Sequence, residues 1–280
     1  MSDRAKTVYH TNTAGGRSHE SAAIRIARGV IRAVDQAVDL IFLTLIVVAV
    51  LFAVYSIWDR KQIYTSSDAA VYEDYKPAAE KDSQAFDRLR RLNPDVCAWI
   101  SIDGTGIDYP VVQGRDNEEY LNKTVTGEFS LGGSIFLDSS NRSDFSEFNT
   151  VIYGHHMEKG EMFGNLDKFD EKAFFDGHPY GSLYFDKAMH RLTIFAMVEA
   201  DAYDFRLYNS HVGGEADLQG EAASKSRAER EQEYLDYVNR LAKYTRDIGV
   251  KPGDHIVMLS TCALGTNERY ALYARIDRAE

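Results

Sequence analysis

Only two cysteines occur in the 280 residues. One of them ends the run Leu259-Ser260-Thr261-Cys262, and Arg269 follows seven positions later. Far upstream, two adjacent histidines sit in Tyr153-Gly154-His155-His156-Met157. A thiol, an imidazole and a guanidinium are the groups required for acyl transfer through a thioester. A thiol has an ordinary pKa of about 8.5, and a nearby cation favours its thiolate. The thiolate attacks a carbonyl carbon, and a fixed guanidinium stabilises the oxyanion that develops. The imidazole protonates the departing amine and later deprotonates the incoming nucleophile. Taken singly, each residue has a plainer reading. A cysteine at a strand end is more often core, an arginine at a strand start is usually solvated, and a His-His turn is usually surface.

The surrounding pattern predicts strands that bring these groups together. Along 255–262, Ile256, Met258, Ser260 and Cys262 share a face, because successive strand side chains alternate. Along 269–276, Arg269, Ala271, Tyr273 and Arg275 share a face. The loop 263–268 joins the two, so Cys262 and Arg269 meet at one rim. Further strands are expected at 97–102, 107–113, 133–137, 149–153, 182–185 and 191–200, with turn signals such as Asp103-Gly104-Thr105-Gly106 between them. Pro110 favours an edge or irregular strand. Residues 78–92 read as a helix with Phe86, Leu89 and Leu92 at helical spacing, and 162–169 and 171–175 as short helices. A long helix is expected over 226–248. Ser226 and Glu229 form a capping box, Leu235, Val238, Leu241 and Ile248 mark the inner face, and Gly249 is a stop. The sum is a mostly β chain, an antiparallel sheet that closes into a barrel.

Residues 40–58 are 19 uncharged, mostly apolar positions, enough at about 1.5 Å per residue to cross a bilayer core. The run exceeds a signal peptide's apolar region of about 7–15 residues and lacks a clear cleavage site. The expected organisation is a cytoplasmic tail 1–36, an anchor 37–58, a juxtamembrane linker 59–77 and an extracellular catalytic domain 78–280. The tail reads as disordered to about residue 22. Its six basic and three acidic residues give it a charge of +3 within a net charge of −11. The positive-inside rule keeps that end in the cytoplasm. With Asp39 at the interface, residues 59–280 carry −13, which argues against a nucleic-acid partner. Outside the cell a Cys97–Cys262 disulfide is chemically open, although the apolar run around Cys97 favours a buried small hydrophobe.

Leu259-Ser260-Thr261-Cys262 with Arg269 resembles the Leu-x-Thr-Cys…Arg signature of sortases, the membrane-anchored cysteine transpeptidases of Gram-positive bacteria. Tyr153-Gly154-His155-His156-Met157, followed by Met162-Phe163, resembles that family's histidine turn. Asn93-Pro94-Asp95 with Trp99-Ile100, and the stretch from Gly104 to Gln113, resemble the opening strands of class B sortases, as does the long helix before the cysteine strand. The resemblance covers about residues 80–276. It implies an eight-stranded sortase-type β-barrel with an N-terminal helix, a long helix before the penultimate strand and one N-terminal transmembrane helix. It implies Cys262 as nucleophile, His155 as general acid/base, Arg269 as oxyanion and substrate clamp, and Ser260 and Thr261 in the substrate groove. His156 is the rival to His155. The Cys-to-Arg loop is shorter than in some class B members, which bears on loop contacts and not on the three roles.

The implied reaction cleaves a C-terminal sorting signal, of Asn-Pro-x-Thr-x type, on a secreted protein. An amine of a cell-wall precursor, or of a pilin, then resolves the thioester. No cofactor or metal is implied. The lack of a membrane span after Glu280 points away from the class C pilus polymerase. Three rivals stand beside this reading. A metal-dependent hydrolase could use His155, His156, Glu158 and Glu161, yet the spacing matches no ligand motif and His-Glu-x-x-His is absent; two cysteines cannot build a zinc cluster. A papain-like hydrolase has its cysteine before its histidine. A non-catalytic, membrane-tethered binding module on the same fold would lack one of the three residues, and all are present.

Overall fold

The computed structural model describes residues 22–77, 84–214, 224–262 and 268–277, with Cys262 and Glu268 placed by their backbone. The expected disorder before residue 22, the start of the helix expected from 78, and the loop 263–267 lie outside the described residues.

The chain divides into two compact units, 1–58 and 59–280. The first is the body of helix α1 (Ala22–Ser67), an uninterrupted helix that continues nine residues into the second unit. It is the one helix among the described residues long and apolar enough to cross a membrane. Its apolar side chains, Leu45, Leu51 and Phe52 among them, are exposed. The segment expected as a linker is regular structure: the end of α1, then a 3-10 turn at Ala69–Tyr75 that the Asp68 side chain caps.

In the second unit α2 (Gln84–Leu92) precedes β1 (Val96–Ile102), β2 (Asp108–Val112), β3 (Ile135–Leu137) and β4 (Asn149–Tyr153). A 3-10 turn (Gly164–Asp170), α3 (Lys172–Gly177), β5 (Tyr180–Phe185) and β6 (Ala188–Asp201) follow. Then come α4 (Arg227–Leu241), β7 (Ala242–Thr245), β8 (Ile256–Cys262) and β9 (Glu268–Ile276). The sheet runs β5-β1-β2-β3-β4-β8-β9-β6, and a β5–β6 ladder closes it into an eight-stranded barrel. Closure removes the free edges that would otherwise template aggregation. β6 is long enough to pair β5 with its first half, while the short β7 covers the same edge further along. Two pairs are parallel, β2–β3 and β4–β8.

All eight barrel strands contribute to one apolar cluster that includes Ile100, Val111, Leu137, Ile152, Leu183, Ile194, Leu259 and Leu272. A set drawn from every stave is the barrel interior. A second cluster joins the outer face of β4, β8, β9 and β6 (Val151, Met258, Tyr273, Val198) to Tyr234, Leu235 and Val238 of α4. These four strands are therefore buried on both faces, which is why β4 and β8 read as nearly continuous apolar runs.

Two expectations are corrected in detail, and the preferred reading of Cys97 holds. α4 begins at its capping box, with Ser226 and Glu229 bonded reciprocally, but stops at Leu241 rather than 248. Ala242 turns extended, and 242–245 pair with β6 instead; Leu241 is exposed, and Ile248 packs on the outer cluster from beyond the helix. Leu92, the last residue of α2, points to solvent, whereas Phe86 and Leu89 are buried. Cys97 is a free thiol, so no disulfide joins it to Cys262. It is partly buried, and loss of solvation pushes its pKa up to about 12.

Candidate active site

β8 and β9 form a ladder in unbroken register from Ile256 opposite Arg275 to Cys262 opposite Arg269. Directly opposed residues in such a ladder have Cβ atoms about 4.5–5.5 Å apart, so the rim shared by Cys262 and Arg269 follows from the pairing alone. On the other edge of β8 runs β4, parallel, with Tyr153 beside Ser260. The Gly154 N–H extends this ladder by donating to the Ser260 carbonyl at 3.2 Å. His155 is two residues past Tyr153 and Cys262 two past Ser260, so both emerge at the same end of the sheet. Gly154 is required here, because a Cβ would lie 2.5 Å from Ile135 and 2.7 Å from the Phe163 ring.

A cavity of about 320 Å³ opens at this rim, lined by Leu121, Tyr153, His155, Tyr208, Ser260 and Arg269 among others. His155 Nε2 lies 2.8 Å from the Leu121 carbonyl. A carbonyl only accepts, so Nε2 carries the hydrogen and Nδ1 is the nitrogen left to exchange a proton. The carbonyl thus orients the imidazole as a carboxylate does in other nucleophile–histidine pairs.

The Arg269 guanidinium is half-buried, 6.0 Å from the centre of the Tyr208 ring. Tyr208 stacks on Tyr153 with ring centres 6.1 Å apart and planes at 12°. The Tyr208 and Ser260 hydroxyls are 2.9 Å apart. Tyr153 donates to Asp138 Oδ2 at 2.9 Å, and Asn117 donates to the same oxygen at 2.9 Å. Burial, then the Asp138 charge, raises the Tyr153 pKa far above the ordinary phenol, so it stays a neutral donor. The Tyr208 ring thus faces the arginine, and the Tyr153 ring behind it is anchored by a buried carboxylate.

The two histidines part company. His155 lines the cavity, whereas His156 is nearly buried on the other side of the turn, with Nε2 3.5 Å from Asp167 and its backbone bridged to Met162. Ser260 lines the cavity. Thr261 does not: strand alternation turns it to the inner face with Val257 and Leu259, 1% exposed, its hydroxyl without a partner among the described residues. The four residues of the metal alternative also diverge. Glu158 accepts from Tyr64 and Glu161 from Tyr109, and no three metal-ligating groups gather among the described residues. Sequence reasoning missed Tyr208 and the Leu121 carbonyl. Tyr208 lies in a segment without periodicity, and a backbone acceptor has no residue-type signal.

The sortase domain family model matches residues 100–277. A sortase B of Listeria monocytogenes is 33% identical over 230 residues, covering 79% of this chain and 88% of the relative. The crystal structure of sortase B from the type II pilus of Streptococcus pneumoniae is 44% identical, with a TM-score of 0.57 and coverage of 69% of this chain and 99% of that one. A Streptococcus pyogenes class B sortase involved in pilus biogenesis is 36% identical, with a TM-score of 0.59 and coverage of 69% and 97%. The chain belongs to the sortase family and is most like its class B members. It is accordingly a cysteine transpeptidase.

Proposed function

We propose that Cys262, His155 and Arg269 carry the reaction, as nucleophile, general acid/base and oxyanion clamp, in an enzyme that transfers a sorting-signal protein to an amine. The observation that carries this is the pair of ladders flanking β8, with Arg269 opposite Cys262 on one side and the His155 strand on the other. The Cys262 thiolate attacks the carbonyl carbon of the scissile peptide bond. The oxyanion that forms is met by the Arg269 guanidinium, which is always charged and presents a fixed fork of donors. His155, protonated at Nδ1, gives its proton to the leaving amine, and a thioester remains on Cys262. An incoming amine loses a proton to Nδ1 as it attacks the thioester, and the thiolate leaves. Ser260 in the cavity wall contacts the substrate.

The anchor 37–58 holds the catalytic domain, residues 78–280, at the outer face of the cytoplasmic membrane with the N-terminus inside. The charge asymmetry about the span supports this orientation. The substrate is the Asn-Pro-x-Thr-x type signal of a secreted protein, and the acceptor is an amine of a peptidoglycan precursor. A second acceptor, a pilin amine, is favoured by the two pilus-associated class B structures at 44% and 36% identity. The test incubates the full chain in detergent with a quenched Asn-Pro-x-Thr-x peptide library, beside Cys262→Ala. A precursor-type amine and a lysine-bearing pilin segment are added in separate arms. Cleavage that survives Cys262→Ala would sink the nucleophile assignment, and the amine that is ligated decides the acceptor.

A further inference from the structure

The turn that carries His155 is not held by its own conformation. Lys159 and Met162 adopt left-handed backbone angles, with φ of 67° and 51°, on either side of Gly160 and Glu161. Residues with a Cβ avoid that region, and such angles persist only where the surroundings impose them. Within the turn the ties are few: Phe163 N–H donates to the His155 carbonyl at 3.0 Å, and Met162 bridges His156. A further tie comes from outside, where Met162 N–H donates to the Tyr109 hydroxyl at 3.0 Å.

Tyr109 stands on β2, 2% exposed. Its hydroxyl also lies 3.0 Å from the Ser67 carbonyl and 3.1 Å from Glu161 Oε2. Ser67 is the last residue of α1, fully buried, and its carbonyl has no partner within the helix. The protons can be counted. The hydroxyl oxygen accepts from the Met162 N–H, and its single hydrogen faces two acceptors, the Ser67 carbonyl and Glu161 Oε2.

The same helix end meets the other support of His155. The Leu121 carbonyl belongs to the 113–134 connection, where Ser130 N–H donates to the Asn122 carbonyl at 3.1 Å. The Ser66 and Ser130 hydroxyls are 2.9 Å apart. A Cβ on Gly132 would lie 2.0 Å from Ser67 Oγ, so the helix end and this connection are in close contact. On the turn side, Lys159 Nζ sits 4.7 Å above the Tyr64 ring. Both segments that touch His155 therefore converge on the last turn of α1.

We propose that Tyr109 is a positioning residue for His155, its hydroxyl clasping the end of the juxtamembrane helix to the histidine turn so that the helix is part of the catalytic frame. The inference rests on the role of His155 given above. The test uses the full chain in detergent micelles and measures kcat and KM separately for peptide cleavage. The variants are Tyr109→Phe, which removes only the hydroxyl, and Ser130→Ala, which loosens the second tie. Each is made in the parent and in His155→Ala. Tyr109→Phe should lower kcat about tenfold with KM within about twofold, since small displacements of a catalytic group are costly in rate. Ser130→Ala should lower kcat in the same sense and by less. In His155→Ala neither should change the residual rate by more than about twofold, because the group they position is gone. An unchanged kcat for Tyr109→Phe and Ser130→Ala, an effect confined to KM, or an equal loss in both backgrounds would overturn the proposal. If His155→Ala keeps the parent kcat, the histidine assignment fails first, and the clasp falls with it for a separately visible reason.

Discussion

Tyr153 and Ser260 stand side by side across the parallel β4–β8 ladder, and that one pairing fixes where the histidine and the cysteine must emerge. Any slip of register between these strands would separate His155 from Cys262 by a residue's rise, about 3.3 Å. The register is held by the buried runs on both faces of β4 and β8. Core packing is thereby converted into catalytic geometry.

The two thiols should differ sharply in reactivity. Cys97 has its pKa pushed up to about 12, with its Sγ 3.5 Å from the Val111 carbonyl. Brief iodoacetamide treatment at neutral pH should label Cys262 and spare Cys97, as read by peptide mass spectrometry. Cys97→Ala should keep activity within about twofold, while Cys262→Ala should lose it entirely. Labelling of Cys97 first would contradict the assignment.

The paired histidines give a second contrast. His155→Ala should cost roughly 100- to 10,000-fold in kcat/KM, the usual contribution of a positioned acid/base. His156→Gln, on the far side of the turn beside Asp167, should cost less than about tenfold. The reverse ranking in a peptide-cleavage assay would exchange their roles.

Arg269→Lys keeps a charge and loses the planar fork. A loss of roughly 100- to 1,000-fold in kcat is expected, as for removal of one oxyanion donor. Near-parental kcat would show that charge alone suffices.

Glu161 gives a pH signature in stability. Its folded-state pKa is raised from 4.5, by burial first, with Asp68 adding to the rise and the Tyr109 hydrogen bond and Lys159 opposing it. A carboxyl raised on folding stabilises fully below its unfolded pKa, and that contribution is lost as pH climbs through the folded value. The melting temperature of the parent minus that of Glu161→Gln should therefore fall as pH rises from about 4.5 towards neutrality. A difference that is flat or rises over that window would show that Glu161 is not held in this way.

Much of this was legible in the sequence, and the limits are physical. The last hairpin was readable because Ile256, Met258 and Ser260 alternate with inner residues, and the Cys262–Arg269 juxtaposition needs nothing further. The end of α4 was not readable. Residues 242–245 carry no breaker, and it is the open second half of β6 that draws them into an edge strand. The family resemblance puts Thr261 in the groove with Ser260, although alternation alone turns it inward. The stacking of Tyr208 on Tyr153 and the Leu121 carbonyl at His155 depend on long-range contacts that local periodicity does not encode.

The parallel β4–β8 ladder also sets a schedule. Its strands are neighbours in space and distant along the chain, and closing such a contact is slow because a long loop must be ordered first. As synthesis proceeds from the N-terminus, β1 to β6 exist before β8 and β9 are available to complete the ring. The nascent chain thus carries His155 long before Cys262, and Cys262 meets Arg269 only when the last two staves enter. On the proposed roles, cysteine and arginine come together as the last step of barrel closure, after every other strand of the ring has been made.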